Sequence, residues 1–125
     1  MDLPSAAKTL SALAHDGRLL IYRELVTAGP EGLAAGVLSR RCAIAPNTLS
    51  ASLTVLAHAG LVSSRRDGRS IIYSAAYDRM SDLLWFLVQD CCGGRTEICA
   101  PLQKIAAWTL AAVSKLNSTR DGPDD

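Results

Sequence analysis

Three of the chain's four cysteines fall inside one nine-residue stretch, Cys91-Cys92-Gly93-Gly94-Arg95-Thr96-Glu97-Ile98-Cys99. Thiols at that density invite soft-ion binding or redox chemistry. Gly93-Gly94 lets the backbone reverse sharply, because glycine takes either sign of φ at little cost, and a reversal there carries Cys99 back toward the adjacent pair. Three soft sulfurs with no histidine nearby favour a thiophilic ion, since His15 and His58 are distant in sequence. Structural zinc takes four nitrogen or sulfur ligands. A three-coordinate ion with a lone pair, arsenite or antimonite, suits an all-thiolate triad better. The candidate ligands are therefore Cys91, Cys92 and Cys99, with Arg95 placed to favour the thiolate form. A redox-active thiol cluster and a site for another soft metal stay open as alternatives. Cys42 stands apart and is expected to be a small buried residue. No Cys-x-x-Cys, phosphate-binding glycine loop or histidine beside the thiols supports an enzyme.

A second chemistry lies upstream. The chain is almost neutral, with 13 basic and 12 acidic residues, so no whole-chain field attracts a polyanion. Between residues 40 and 69, however, there are five arginines and one acid, Asp67. A local basic surface on a neutral chain is what phosphate binding requires. The same region contains a helical pattern at 46–59 whose apolar positions are Leu49, Leu53 and Leu56. Its other face is short: Asn47, Thr48, Ser50 and Ser52, with Ala51 among them. Solvated helices usually carry Lys and Glu there, whereas small polar side chains let a helix come close to base edges in a major groove. Asn47, Thr48, Ser50, Ala51 and Ser52 are the candidate base-reading positions.

The elements that must hold these groups can be traced along the chain. A helix is expected over 5–14 with Ala6, Leu10, Leu13 and Ala14 on one face. A second begins near Arg18, with Leu19, Tyr22, Leu25 and Val26 as its stripe, and stops at Gly29-Pro30. His15, just before it, is expected to cap or support it. A short third helix over 33–41 buries Leu33, Val37 and Leu38. After the tight connection Ala43-Ile44-Ala45, Pro46 opens the fourth helix, where its missing N–H costs nothing. Residues 61–75 then switch to a period of two around Asp67-Gly68, a type I′ hairpin signal. Arg65, Arg66 and Arg69 surround its tip, ready for phosphates or a minor groove. Asp78 is expected to cap a fifth helix through Val88, with Leu83, Leu84, Phe86 and Leu87 as a broad apolar surface. Trp85, Phe86 and Trp108 read as core or dimer surface. Pro101 opens a last helix carrying Leu102, Ile105, Trp108 and Ala112.

The expected fold is mostly α with a β-hairpin wing: a winged helix-turn-helix of six helices, the two-stranded hairpin lying between the fourth and fifth. At 125 residues there is one domain. Residues 1–90 form the DNA-binding and dimerisation part, 91–118 the cysteine loop and last helix, and 119–125 a polar tail. No apolar run reaches the roughly 18 residues of a membrane span, and Met1-Asp2-Leu3-Pro4 lacks a signal-peptide start. A cytoplasmic protein with thiols rather than disulfides is expected.

Leu13-Ala14-His15-Asp16-Gly17-Arg18-Leu19-Leu20-Ile21, together with Ala45-Pro46-Asn47-Thr48-Leu49-Ser50-Ala51-Ser52-Leu53, Leu56, Ala59-Gly60-Leu61-Val62, Arg65-Arg66-Asp67-Gly68-Arg69 and Tyr73, resembles the ArsR/SmtB family of bacterial metalloregulatory repressors. The likeness spans roughly residues 5–90 and the motifs occur in family order. It implies a homodimer on double-stranded operator DNA, with recognition helices in successive major grooves, and release of DNA on ligand binding. The cysteine stretch resembles the C-terminal three-cysteine arsenite site of one subgroup, which implies As(III) or Sb(III) as inducer and no obligatory cofactor. The cysteine pair that many arsenic sensors carry in the third helix is absent, since Leu33-Ala34-Ala35-Gly36-Val37 holds no thiol.

Overall fold

The structure, a computed structural model, describes residues 1–89. The cysteine stretch 91–99, the expected helix from Pro101 and the tail lie outside the described residues.

Among the described residues, five helices and three short strands follow in the order α1 (Leu3–Leu13), α2 (Asp16–Ala28), β1 (Leu33–Ala34), α3 (Ala35–Cys42), α4 (Pro46–His58), β2 (Val62–Asp67), β3 (Ser70–Ala75) and α5 (Tyr77–Val88). Local chemistry explains most boundaries. Asp2 caps α1 by accepting the Ser5 N–H at 2.9 Å. His15 caps α2 through Nδ1, which accepts the Gly17 N–H at 3.2 Å. Arg18, in the first turn of α2, donates from Nε to the Ala12 carbonyl at 2.6 Å and so ties the start of α2 to the end of α1. Gly29 ends α2 at φ +86°. Between α3 and α4, Ala43 takes the left-handed conformation at φ 54°, and Pro46 then occupies the first position of α4.

The strands form one antiparallel sheet in the order β1-β3-β2. Its β1 corrects the expected helix over 33–41: Leu33 pairs with Tyr73 and Ala34 with Ile72, so α3 begins only at Ala35. Gly32 makes this pairing possible. It sits at φ +74°, and a Cβ there would collide with the Tyr73 carbonyl. The hairpin turn is also shifted by one residue from the expectation. Asp67 pairs with Ser70, leaving Gly68-Arg69 as the two-residue loop. Gly68 has φ +64° while Arg69 is not left-handed. One positive φ, at the first loop position, meets the requirement of a type II′ turn and not of type I′.

The core joins α2, α3, α4 and the base of the hairpin, with Ile21, Leu25, Leu38, Leu49, Leu56 and Leu61 fully buried. Leu10 and Leu19, expected inside, are exposed; α1 buries Ala6, Thr9 and Ala12 instead, and α2 buries Ile21, Tyr22 and Leu25. The small residues of α1 let it lie close to its neighbours. Leu33 and Val37 are half-buried. Asp78 falls in the first turn of α5 without capping it. Tyr22 is buried, and its hydroxyl has no hydrogen-bond partner among the described residues. Desolvation pushes its pKa up from 10.0 to about 12.

Candidate nucleic-acid interface

Residues 35–58 form the helix-turn-helix. Ser39 of α3 donates its hydroxyl to the Ile44 carbonyl, which fastens the turn from inside. Leu38 and Cys42 of α3 pack with Leu49, Leu53 and Leu56 of α4 in the same core, so the two helices hold each other at a fixed angle. On the outside of α4, Asn47, Thr48, Ser50 and Ala51 are exposed. Thr54 is exposed on the same face, with its hydroxyl turned back onto the Ser50 carbonyl at 3.0 Å.

Ser52 does not belong to this outward face. It is 8% exposed and buries with Leu49, Leu53 and Leu56. Positions 49, 52, 53 and 56 follow the i, i+3, i+4, i+7 spacing of a single helical face. A hydroxyl suits the polar side, but the phase of Ser52 on the helix places it inside.

The N-terminus of α4 has no side-chain cap, since Ala45 occupies that position and Pro46 follows it. The first-turn N–H groups of Asn47 and Thr48 are left for an outside acceptor. They sit at the positive end of the helix dipole, an arrangement that suits a phosphate oxygen.

The three wing arginines are not equivalent. Arg65 pairs across the ladder with Ile72, and Arg66 with Ile71, so they lie on opposite faces of the ribbon. Arg65 donates from Nη2 to the Glu31 carbonyl at 2.9 Å. That bond fastens the wing to the loop before β1. Arg66 is exposed on β2, and Arg69 is exposed in the turn; among the described residues neither side chain has a hydrogen-bond or ion-pair partner. At the end of α3, Arg41 lies 3.8 Å from Glu24 in an exposed pair, worth under about 1 kcal/mol. Arg40 beside it is exposed. The sequence showed the arginine cluster, but the role of Arg65 as a strut depends on a contact 34 residues away and left no local signal.

The described cysteine, Cys42, is 6% exposed. Burial, and then the nearby Glu24 carboxylate, raise its thiol pKa, which keeps it protonated and unreactive. Among the described residues no group of three or more His, Cys, Asp or Glu side chains is arranged to hold a metal. Cys91, Cys92 and Cys99 lie outside them.

A helix-turn-helix domain model matches residues 13–65, from the end of α1 into β2. The nodulation protein NolR of Rhizobium meliloti is 39% identical over 83 residues, 66% of each chain, so the match spans about two thirds of that relative. The HTH-type transcriptional regulator YgaV of Escherichia coli is 33% identical, covering 63% of this chain and 78% of its own. Among solved structures, a homodimeric winged helix-turn-helix DNA-binding domain from Mycobacterium bovis, described as a possible ArsR-family transcriptional regulator, superposes with TM-score 0.57 at 28% identity over 68% of this chain and 77% of its own. With the helix-turn-helix, the hairpin wing and these relatives together, the chain belongs to the ArsR family of winged helix-turn-helix transcriptional regulators, a family of DNA-binding proteins and not of enzymes.

Proposed function

We propose that the protein is a cytoplasmic, metalloid-responsive repressor that binds operator DNA as a homodimer and releases it when trivalent arsenic or antimony is captured by Cys91, Cys92 and Cys99. The observation that carries the DNA-binding half is the pairing of a short-sided, outward-facing helix surface (Asn47, Thr48, Ser50, Ala51) with a wing bearing Arg66 and Arg69. In such a domain the helix reads base edges and the arginines hold phosphates. The dimer is supported by large exposed apolar side chains on α5, with Leu84 50%, Trp85 67% and Leu87 49% exposed. Surfaces of that kind mark a partner interface. None of the described helices is long and apolar enough to cross a membrane.

The inducer half rests on the thiol chemistry of residues 91–99, whose three soft ligands match a three-coordinate metalloid. The cysteine stretch begins just after α5. Drawing Cys99 toward Cys91 and Cys92 shortens this connection and changes the separation of the two reading helices. Half-sites lie about 34–36 Å apart, one turn of DNA, so the spacing tolerates little change. A coupling of about 1–3 kcal/mol lowers operator affinity roughly 5- to 150-fold.

The test is a thiol count. Under reducing conditions, stoichiometric arsenite protects three thiols per chain from a thiol-reactive dye, and Cys42→Ser leaves that number unchanged. Protection of two thiols, with Cys99→Ser binding arsenite as tightly as the parent chain, replaces the triad with a two-thiolate site of the kind a methylated arsenical occupies.

A further inference from the structure

We propose that a groove between α1, the start of α2 and the second half of α4 binds a small amphipathic anion, a carboxylate with a hydrocarbon body, and that its occupancy weakens DNA binding. The groove holds about 370 Å³ and is lined by Lys8, Ser11 and Ala12 of α1, Arg18 of α2, and Thr54, Val55, His58 and Ala59 of α4. Small-molecule sites begin at roughly this size and are mostly apolar, with a few polar groups that fix orientation. Here Ala12, Val55 and Ala59 supply the apolar surface. Lys8, Arg18 and His58 are basic side chains, and no carboxylate is among the lining residues.

The charge at the groove is held in place. Arg18 donates to the Ala12 carbonyl at 2.6 Å and reaches the Ser11 carbonyl at 3.5 Å. Those carbonyls are at the negative end of the α1 dipole and would otherwise repel an anion. Arg18 covers them and keeps a fixed positive charge beside the groove, with guanidinium N–H groups to spare. Lys8 is exposed and adds a mobile cation. A cationic rim over an apolar floor selects a ligand of opposite charge with a greasy body: a short anion gains little from Ala12, Val55 and Ala59, and an apolar amine is repelled.

The link to DNA follows from helix phase. Asn47, Ala51, Thr54 and His58 follow i, i+4, i+7, i+11 spacing and share one side of α4. The groove is therefore the continuation of the DNA-facing stripe. An anion seated there neutralises cations beside the duplex and adds a negative charge of its own. This coupling rests on α4 reading DNA; the binding site itself does not.

The experiment uses the full chain under reducing conditions and octanoate as probe, with acetate and octylammonium as controls for chain and charge. Calorimetry is expected to give saturable one-per-chain binding of octanoate, at least tenfold weaker binding of either control, and at least tenfold weaker octanoate binding in Lys8→Gln and Val55→Asp. Both positions are exposed, and a thermal melt checks that each variant is folded. Unsaturable binding, or octanoate affinity equal in parent and folded variants, overturns the site. Because calorimetry contains no DNA, this outcome is independent of the repressor reading. In a second arm, octanoate just sufficient to saturate the parent chain is expected to lower affinity for the duplex upstream of the protein's own gene about three- to tenfold, with a smaller loss at the same concentration in Lys8→Gln. Unchanged affinity in a chain that binds both octanoate and DNA overturns the coupling.

Discussion

Removing Arg66 and Arg69 together should change how operator binding depends on salt, whereas removing Arg65 should mainly change stability. Each phosphate neutralised on duplex DNA contributes about 0.9 to the slope of log affinity against log salt, because it releases condensed counterions. Arg66→Ala/Arg69→Ala therefore lowers the slope by about 1.8. Between 50 and 200 mM salt, a fourfold change, the loss of affinity at low salt exceeds that at high salt by about 12-fold. Arg65 spends a donor on the Glu31 carbonyl. Losing that bond in an exposed setting costs about 0.5–1 kcal/mol of stability, or about 2–8 °C in melting temperature for a domain of this size. The assay is fluorescence anisotropy of a labelled operator at five salt concentrations, with melting curves for each variant. A slope unaltered in the double variant would refute the phosphate role. A slope lowered in Arg65→Ala by as much as one full contact, with an unshifted melt, would refute the strut.

Three further outcomes follow from the same geometry. Asn47→Ala, which removes a candidate base-edge contact, is expected to cost about 1–3 kcal/mol of specific operator affinity, while Ser52→Ala, on the buried side, changes affinity less than about twofold; competition against random duplex measures both. Gly32→Ala forces a side chain into the Tyr73 carbonyl at a positive φ and should destabilise the fold by about 1–3 kcal/mol, read as a lower denaturant midpoint with the slope unchanged. Tyr22 ionises near 10.0 when unfolded and at about 12 when folded, so the unfolded chain gives up this proton first. Its contribution is complete below pH 10 and is lost as pH rises toward 12; Tyr22→Phe, followed by denaturation across that window, should show a shallower fall in stability than the parent chain.

Much of the DNA-binding architecture is legible locally. Pro46 opens α4, Gly29 stops α2 and His15 caps it through bonds within two residues. Legibility fails where distant partners decide. Leu33 and Ala34 fit a helical pattern, but pairing with Tyr73 and Ile72, some forty residues on, makes them a strand. Asp67-Gly68 satisfies a turn rule, yet the ladder places Asp67 opposite Ser70 and moves the loop by one residue. The hydroxyl of Ser52 suits the polar side of α4, while the helical period puts it with the leucines. Leu10 and Leu19 carry the apolar character expected of a core but remain outside it, as Leu84, Trp85 and Leu87 do. Apolar character and periodicity in the sequence do not say which of these positions folding buries.

Control of a DNA-binding repressor by a three-thiolate metalloid site can be read by anisotropy of the duplex upstream of the protein's own gene. Reducing agent is present in the metal titrations with arsenite, methylarsenite, zinc and cadmium, and peroxide is titrated separately after its removal. Release by arsenite at about one equivalent per chain, abolished in Cys91→Ser, Cys92→Ser and Cys99→Ser but retained in Cys42→Ser, is the predicted result. Release by peroxide or zinc with no response to trivalent arsenicals would contradict it, and would assign residues 91–99 to redox or other metal sensing on the same DNA-binding fold.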